Sequence, residues 1–152
     1  MHSADHLLAT ARARGAGLPY AGALTPQEAY QLLQLDSRTK LVDVRTDAER
    51  AWVGQVTLPA SQHVAIEWTR WPGGAVNCAF VDQLCDVAAK DDVLLFLCRS
   101  GVRSRHAATM ATQQGFRNAF DILEGFEGDK DGAGHRKQLA GWCKAGLPWI
   151  GA

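Results

Sequence analysis

Residues 91–115 read DDVLLFLCRSGVRSRHAATMATQQG, and the order of residue types within them decides the fold. The apolar run from Val93 to Leu97 has no polar break, as expected of a strand buried on both faces of a parallel sheet. Cys98 ends that run. The segment from Cys98 to Arg103 must then turn the chain, and Gly101 can take the positive φ that a tight curve needs. A helix from about 103 to 114 follows and stops at Gly115.

Upstream, LTPQEAYQLLQL carries a helix start: Thr25 as cap, Pro26 at the first helical position and Glu28 three residues after the cap. Ala29, Leu32 and Leu33 supply its buried stripe. KLVDV, residues 40–44, predicts a short strand, and Thr46 with Glu49 repeats the capping pattern just after it. Residues 56–79 are the least periodic, and only a short strand near 56–58 is expected there. The Trp68 to Ala79 part of this stretch is a candidate rim to a site. AFVDQLCDVAA predicts a helix with Phe80, Leu84 and Val87 on one side and Cys85 beside them, and Cys78 and Cys85 are expected as small core fillers.

Downstream, NAFDIL predicts another strand, and HRKQLAGWCKAG a last helix with Leu139, Trp142 and Cys143 facing inward. Between them EGFEGDKDGAGH is a polar, glycine-rich loop whose acidic residues do not meet calcium-loop spacing. The repeated alternation of strand and helix predicts an α/β domain with its sheet covered on both faces.

Length and composition narrow the functions. A chain of 152 residues, 47% apolar, builds one core. Sixteen basic and sixteen acidic side chains balance, and basic residues are dispersed, which argues against a nucleic-acid module. The apolar runs are too short to span a bilayer, and Arg12 and Arg14 interrupt the only candidate for a signal core, so a cytoplasmic protein is expected. Cys78, Cys85, Cys98 and Cys143 have neither disulfide-framework nor zinc spacing, so no metal is expected.

The chemistry concentrates at CRSGVR. In an α/β sheet ligands gather beyond the carboxyl ends of the strands, where Cys98 sits. A loop curled round its own centre aims successive N–H groups and the amino end of the next helix at one spot, which attracts an anion. The same field stabilises a thiolate at Cys98, with Arg99 and Arg103 contributing. Ser100 and Ser104 can donate hydrogen bonds, and Ser104, at the loop-to-helix junction, is expected to cap the helix. Arg105 and His106 fall on the helix surface.

On LVDVR at 41–45, Glu49, LLFLCRSGVRS at 94–104 and the tail DILEGFEGD followed by GHRKQLAGWCKAGLPW, the chain resembles single-domain rhodanese-like sulfurtransferases from about Leu24 to Trp149. The resemblance implies a three-layer α/β/α domain with a small, mostly parallel sheet of about five strands over residues 24–152, preceded by an extension or helix over 1–23. It implies Cys98 as catalytic cysteine and a substrate cradle of Arg99, Ser100, Gly101, Val102, Arg103 and Ser104. It also implies that Asp43 and Arg45 support the loop through charged hydrogen bonds. Gln55 after Gly54 and Ala60 after Pro59 depart from the family pattern and concern the local loop there.

The implied reaction moves a sulfane sulfur from thiosulfate or a related persulfide to a thiol or cyanide through a Cys98 persulfide, with no cofactor. A sulfur-carrier protein is a further acceptor consistent with this scheme, and no membrane or nucleic acid is called for. Two alternatives share parts of it. A cysteine-dependent phosphatase or arsenate reductase would use the same cradle, but the related phosphatases have one more residue between cysteine and arginine than the four from Cys98 to Arg103, and neither Asp47 nor Asp121 lies in an identifiable acid loop. A non-catalytic rhodanese-like binding module keeps the fold and often loses the cysteine, which is retained here.

Overall fold

The computed structural model describes residues 3–151. Its main sheet has five strands: β1 (Gly22–Leu24), β2 (Lys40–Asp43), β4 (His63–Ala65), β5 (Val93–Leu97) and β6 (Asn118–Ile122). They lie in the order β1-β6-β5-β2-β4, and every neighbouring pair is parallel. The helices are α1 (Ala4–Arg14), α2 (Pro26–Leu35), α3 (Asp47–Trp52), α4 (Phe80–Val87) and α5 (Val102–Gln113). A three-layer domain results, as the alternation predicted.

The apolar run of β5 is central, and its side chains divide between two cores. Leu95 and Leu97 face Leu24, Leu32, Leu41 and Phe120 on the side of α1 and α2. Leu94, Phe96 and Cys98 face Phe80, Leu84, Ala107 and Ala111 on the side of α4 and α5. This period of two carries Cys98 onto the α5 side just past the strand's end. The predicted caps of α2 and α3 form fully: Thr25 accepts from Glu28 N, Thr46 accepts from Glu49 N, and both glutamates return the bond.

Two expectations are corrected. The segment 135–146 is a chain of turns, not a helix, because its backbone bonds elsewhere: the N–H groups of Lys137, Trp142 and Cys143 donate to Glu127 O, Gly125 O and Phe126 O. Lys137 has φ 72 and Gly141 φ 104, outside helical space. Trp142 is fully buried as expected, but Leu139 is exposed. Cys78 and Cys85 are both exposed rather than core fillers. The strand expected near 56–58 is β3 (Gln55–Val56), which lies outside the main sheet and pairs antiparallel with β7 (Trp149–Ile150). The edge strand β4 lies within the irregular region, where no alternation of apolar and polar residues marks it.

The N-terminal segment joins the core: Leu7 and Ala11 of α1 are buried in it, and β1 already pairs with β6 at Gly22. No described helix is long and apolar enough to cross a membrane.

Candidate active site

The loop from Cys98 to Gly101 closes on its own sulfur. Gly101 has φ 110, and its N–H donates to Cys98 Sγ at 3.0 Å. Gly101 is also the N-cap of α5 and brings no side chain to the cap, so the first-turn N–H groups lack a side-chain acceptor and carry the positive end of the helix toward the loop. Ser104 therefore does not cap the helix. It lies inside α5, fully buried, where its Oγ accepts from Cys98 Sγ at 3.3 Å and donates to Asp121 Oδ1 at 2.5 Å.

The loop is held from behind by residues 124–128. Phe126 N donates to Cys98 O at 2.8 Å, and Glu127 N and Gly128 N donate to Arg99 O at 2.9 and 3.2 Å. Gly125 has φ 70, and a Cβ there would stand 2.5 Å from Arg99 C and O. Only glycine permits this approach. The stretch that reads as a plain surface loop is thus the back wall of the cysteine loop. Its second half is a turn around Asp131, whose Oδ1 accepts from Ala133 N and His135 N.

Asp43 and Arg45 are both fully buried and share a forked pair, with Arg45 Nη2 2.8 Å from Asp43 Oδ2. Arg45 Nη2 also donates to Gly54 O at 2.9 Å. Among the described residues the guanidinium donates to no atom of the cysteine loop. Contact with the cysteine loop runs instead through the guanidinium, stacked 4.2 Å over the Phe126 ring, and then through Phe126 N to Cys98 O.

Arg103 points toward α3. Its Nη1 and Nη2 donate to Glu49 Oε1 and Oε2 at 2.6 and 2.9 Å. Burial pushes the Glu49 carboxyl up, but the Arg103 hydrogen bonds and charge, with Thr46, outweigh it and hold the group down at about 2. Glu49 also keeps the Arg103 guanidinium firmly protonated, against the opposing effect of burial. In the sequence Glu49 declares only its helix cap, because its second partner lies 54 residues away.

Arg103, Glu49, Arg99, Trp52 and Trp71 line a groove of about 390 Å³. The tryptophans are exposed and meet edge to face at 6.1 Å, and the Arg99 guanidinium makes no hydrogen bond or ion pair among the described residues. Val102 is exposed and Ser100 half-buried at the loop's outer side. His106 is exposed and stacks on Trp68 at 6.5 Å. Asp47 is exposed and paired with Arg50. Cys143 is half-buried, with burial the main cause of a thiol pushed up to about 11.

A parallel five-stranded sheet with a cysteine loop at the end of its central strand, covered by helices on both faces, defines an α/β domain of rhodanese type. The rhodanese-like domain model matches residues 25–131, and the chain belongs to that family. The crystal structure of Rv0390 from M. tuberculosis is 42% identical, with a TM-score of 0.78 over 86% of this chain and 98% of that one. An uncharacterized protein of Rickettsia prowazekii is 34% identical over 80% of this chain and 91% of its own length. The thiosulfate sulfurtransferase GlpE of Haemophilus influenzae is 30% identical over 82% of this chain and 90% of its own. These relatives support a protein of the sulfurtransferase family.

Proposed function

We propose that this chain is a sulfurtransferase that takes a sulfane sulfur from thiosulfate, or a related small anionic donor, and passes it to a thiol or cyanide. The observation that carries the reading is the contact of Gly101 N with Cys98 Sγ at 3.0 Å, at the uncapped start of α5. A thiolate at that point gains a backbone hydrogen bond and the field of the helix.

In the first step the Cys98 thiolate attacks the outer sulfur of thiosulfate. A sulfur–sulfur bond forms to Cys98, the bond to the sulfite group breaks, and sulfite leaves with its electron pair. In the second, the acceptor attacks the outer sulfur of the persulfide and the Cys98 thiolate leaves. The loop N–H groups stabilise the charge that returns to the sulfur each time. Arg99, free at the rim of the groove, supplies the cation for the donor's oxyanion end.

The test is the intact mass of reduced protein after thiosulfate, followed by cyanide, with Cys98→Ser beside it. One added sulfur that requires Cys98 and leaves with cyanide is the expected result. No adduct on folded, reduced protein would overturn thiosulfate as donor.

A further inference from the structure

Asp121 is a fully buried acid that the transfer steps above do not use. It sits on β6, and among the described residues its carboxylate accepts one hydrogen bond, the 2.5 Å contact from Ser104 Oγ, which in turn lies 3.3 Å from Cys98 Sγ. Thiol, hydroxyl and carboxylate therefore form one line from the end of β5 through α5 to β6, buried at every member. A carboxylate buried among apolar residues is costly, and a structural role for this line would be served as well by a neutral amide.

We infer that Asp121 is a positioning residue that stores the thiol proton of Cys98, with Ser104 as the carrier between them. The transfer balances within the line. Cys98 gives its proton to Ser104 Oγ as Ser104 gives its own proton to Asp121 Oδ1. What remains is a thiolate, an intact serine hydroxyl now donating to it, and a neutral carboxylic acid. The three groups carry one negative charge before and after, so no proton has to leave the buried loop and no second charge is created in it. When the acceptor removes the outer sulfur, the thiolate returns to a loop whose carboxyl is already neutral.

The groups around Asp121 favour this. Tyr20, before β1, faces it and stays neutral: burial raises the phenol first and the Asp121 charge adds to that, with Arg105 opposing. Burial likewise pushes the Asp121 carboxyl up to about 7, against the Ser104 hydrogen bond and the charge of Arg105 on α5. β1 and β5, which flank β6, read GAL and VLLFL and bring no titratable side chain. Glu124, just beyond β6, is turned to Gly141 N at 2.9 Å. On the sulfur side Arg103 is the nearby cation, and its charge is shared with Glu49. A carboxyl that can hold a proton near neutrality is thus joined to the sulfur by a single hydroxyl.

The inference rests on Cys98 as the nucleophile but not on which donor it attacks, and alkylation of Cys98 tests it without any sulfur transfer. The rate of Cys98 modification by iodoacetamide, read at peptide level between pH 4.5 and pH 9, should rise in two steps in the native chain, since one proton is shared by two groups. Asp121→Asn keeps the side-chain size and a partner for Ser104 but cannot take a proton. It should leave a single step and slow alkylation at pH 6 by about tenfold. Ser104→Ala should do the same by cutting the line. A single step in the native chain, or alkylation at pH 6 that is unchanged or faster in Asp121→Asn, overturns the relay. Loss of sulfur transfer with the two-step profile intact would instead count against the proposed donor and leave the relay standing.

Discussion

Arg103 and Glu49 face each other as a fork, with Nη1 donating to Oε1 at 2.6 Å and Nη2 to Oε2 at 2.9 Å. The pair ties the first turn of α5 to α3, and each side chain is about four-fifths buried. Glu49→Gln removes the charge and one of the two good contacts while leaving Arg103 without an anion. Stability should fall by about 1–3 kcal/mol in urea unfolding at pH 7. The folded carboxyl is held at about 2, below its ordinary 4.5, so its contribution is present above pH 4.5 and lost as pH falls through 2. The difference between native chain and Glu49→Gln should therefore close across that acid window, and a difference that persists at pH 2 would contradict the pairing.

Gly125 presses its α-carbon against the back of the cysteine loop. A Cβ would meet Arg99 C and O at 2.5 Å and Ser100 N at 2.6 Å, all backbone atoms that cannot rotate aside. Gly125→Ala should cost about 2–4 kcal/mol from clash and positive φ together. Displacing the loop should lower sulfur transfer on the order of 100-fold. Gly134→Ala is the matched comparison, because Gly134 also has positive φ but nothing within 4 Å. It should lose only the backbone share of stability and keep full transfer activity.

These two relationships mark how far the sequence could be read. The strand Val93–Leu97, the glycine turn and the capping boxes are local, and their residues declare them: Thr25 and Glu28, or Thr46 and Glu49, need only one another. Long-range partners leave no such periodic trace. Asp121 is one acid in a strand, and its meaning depends on Ser104, seventeen residues earlier. The segment 135–146 has a helix-like spacing of Leu139, Trp142 and Cys143, yet residues 125–127 take its backbone bonds. Tertiary hydrogen bonding outweighed helical propensity there. The glycines at 125, 128 and 141 were the available signal, since positive φ at each breaks a helix.

The groove beside the loop predicts a division between binding and turnover. Trp71 is 60% exposed and Arg99 is unpaired, so neither carries the fold. Arg99→Ala should raise KM for thiosulfate about 5- to 20-fold with kcat nearly unchanged, as expected for a charge that binds donor and transition state alike. Trp71→Ala should leave thiosulfate kinetics alone and raise KM for bulky thiol acceptors while sparing cyanide. Both variants should stay within about 0.5 kcal/mol of native stability. An equal effect of Trp71→Ala on cyanide and bulky thiols would remove the groove from acceptor binding.

The pH dependence of folding offers a separate view of Asp121. Its carboxyl is ordinary at 3.8 when unfolded and is pushed up to about 7 by burial when folded. The native state therefore binds this proton more tightly than the unfolded state, and the stabilisation it gives is complete below pH 3.8 and lost as pH rises through 7. This trend is opposite to that of Glu49 and occupies a higher window. Asp121→Asn, neutral at every pH, removes it. The amide variant should be more stable than the native chain at pH 8, by an amount on the order of a few kcal/mol, and the gap should narrow toward pH 4. Urea unfolding of both proteins at pH 4, 6 and 8 measures this directly. A gap of the same size at all three would mean that Asp121 carries its charge in the folded state as readily as in the unfolded chain.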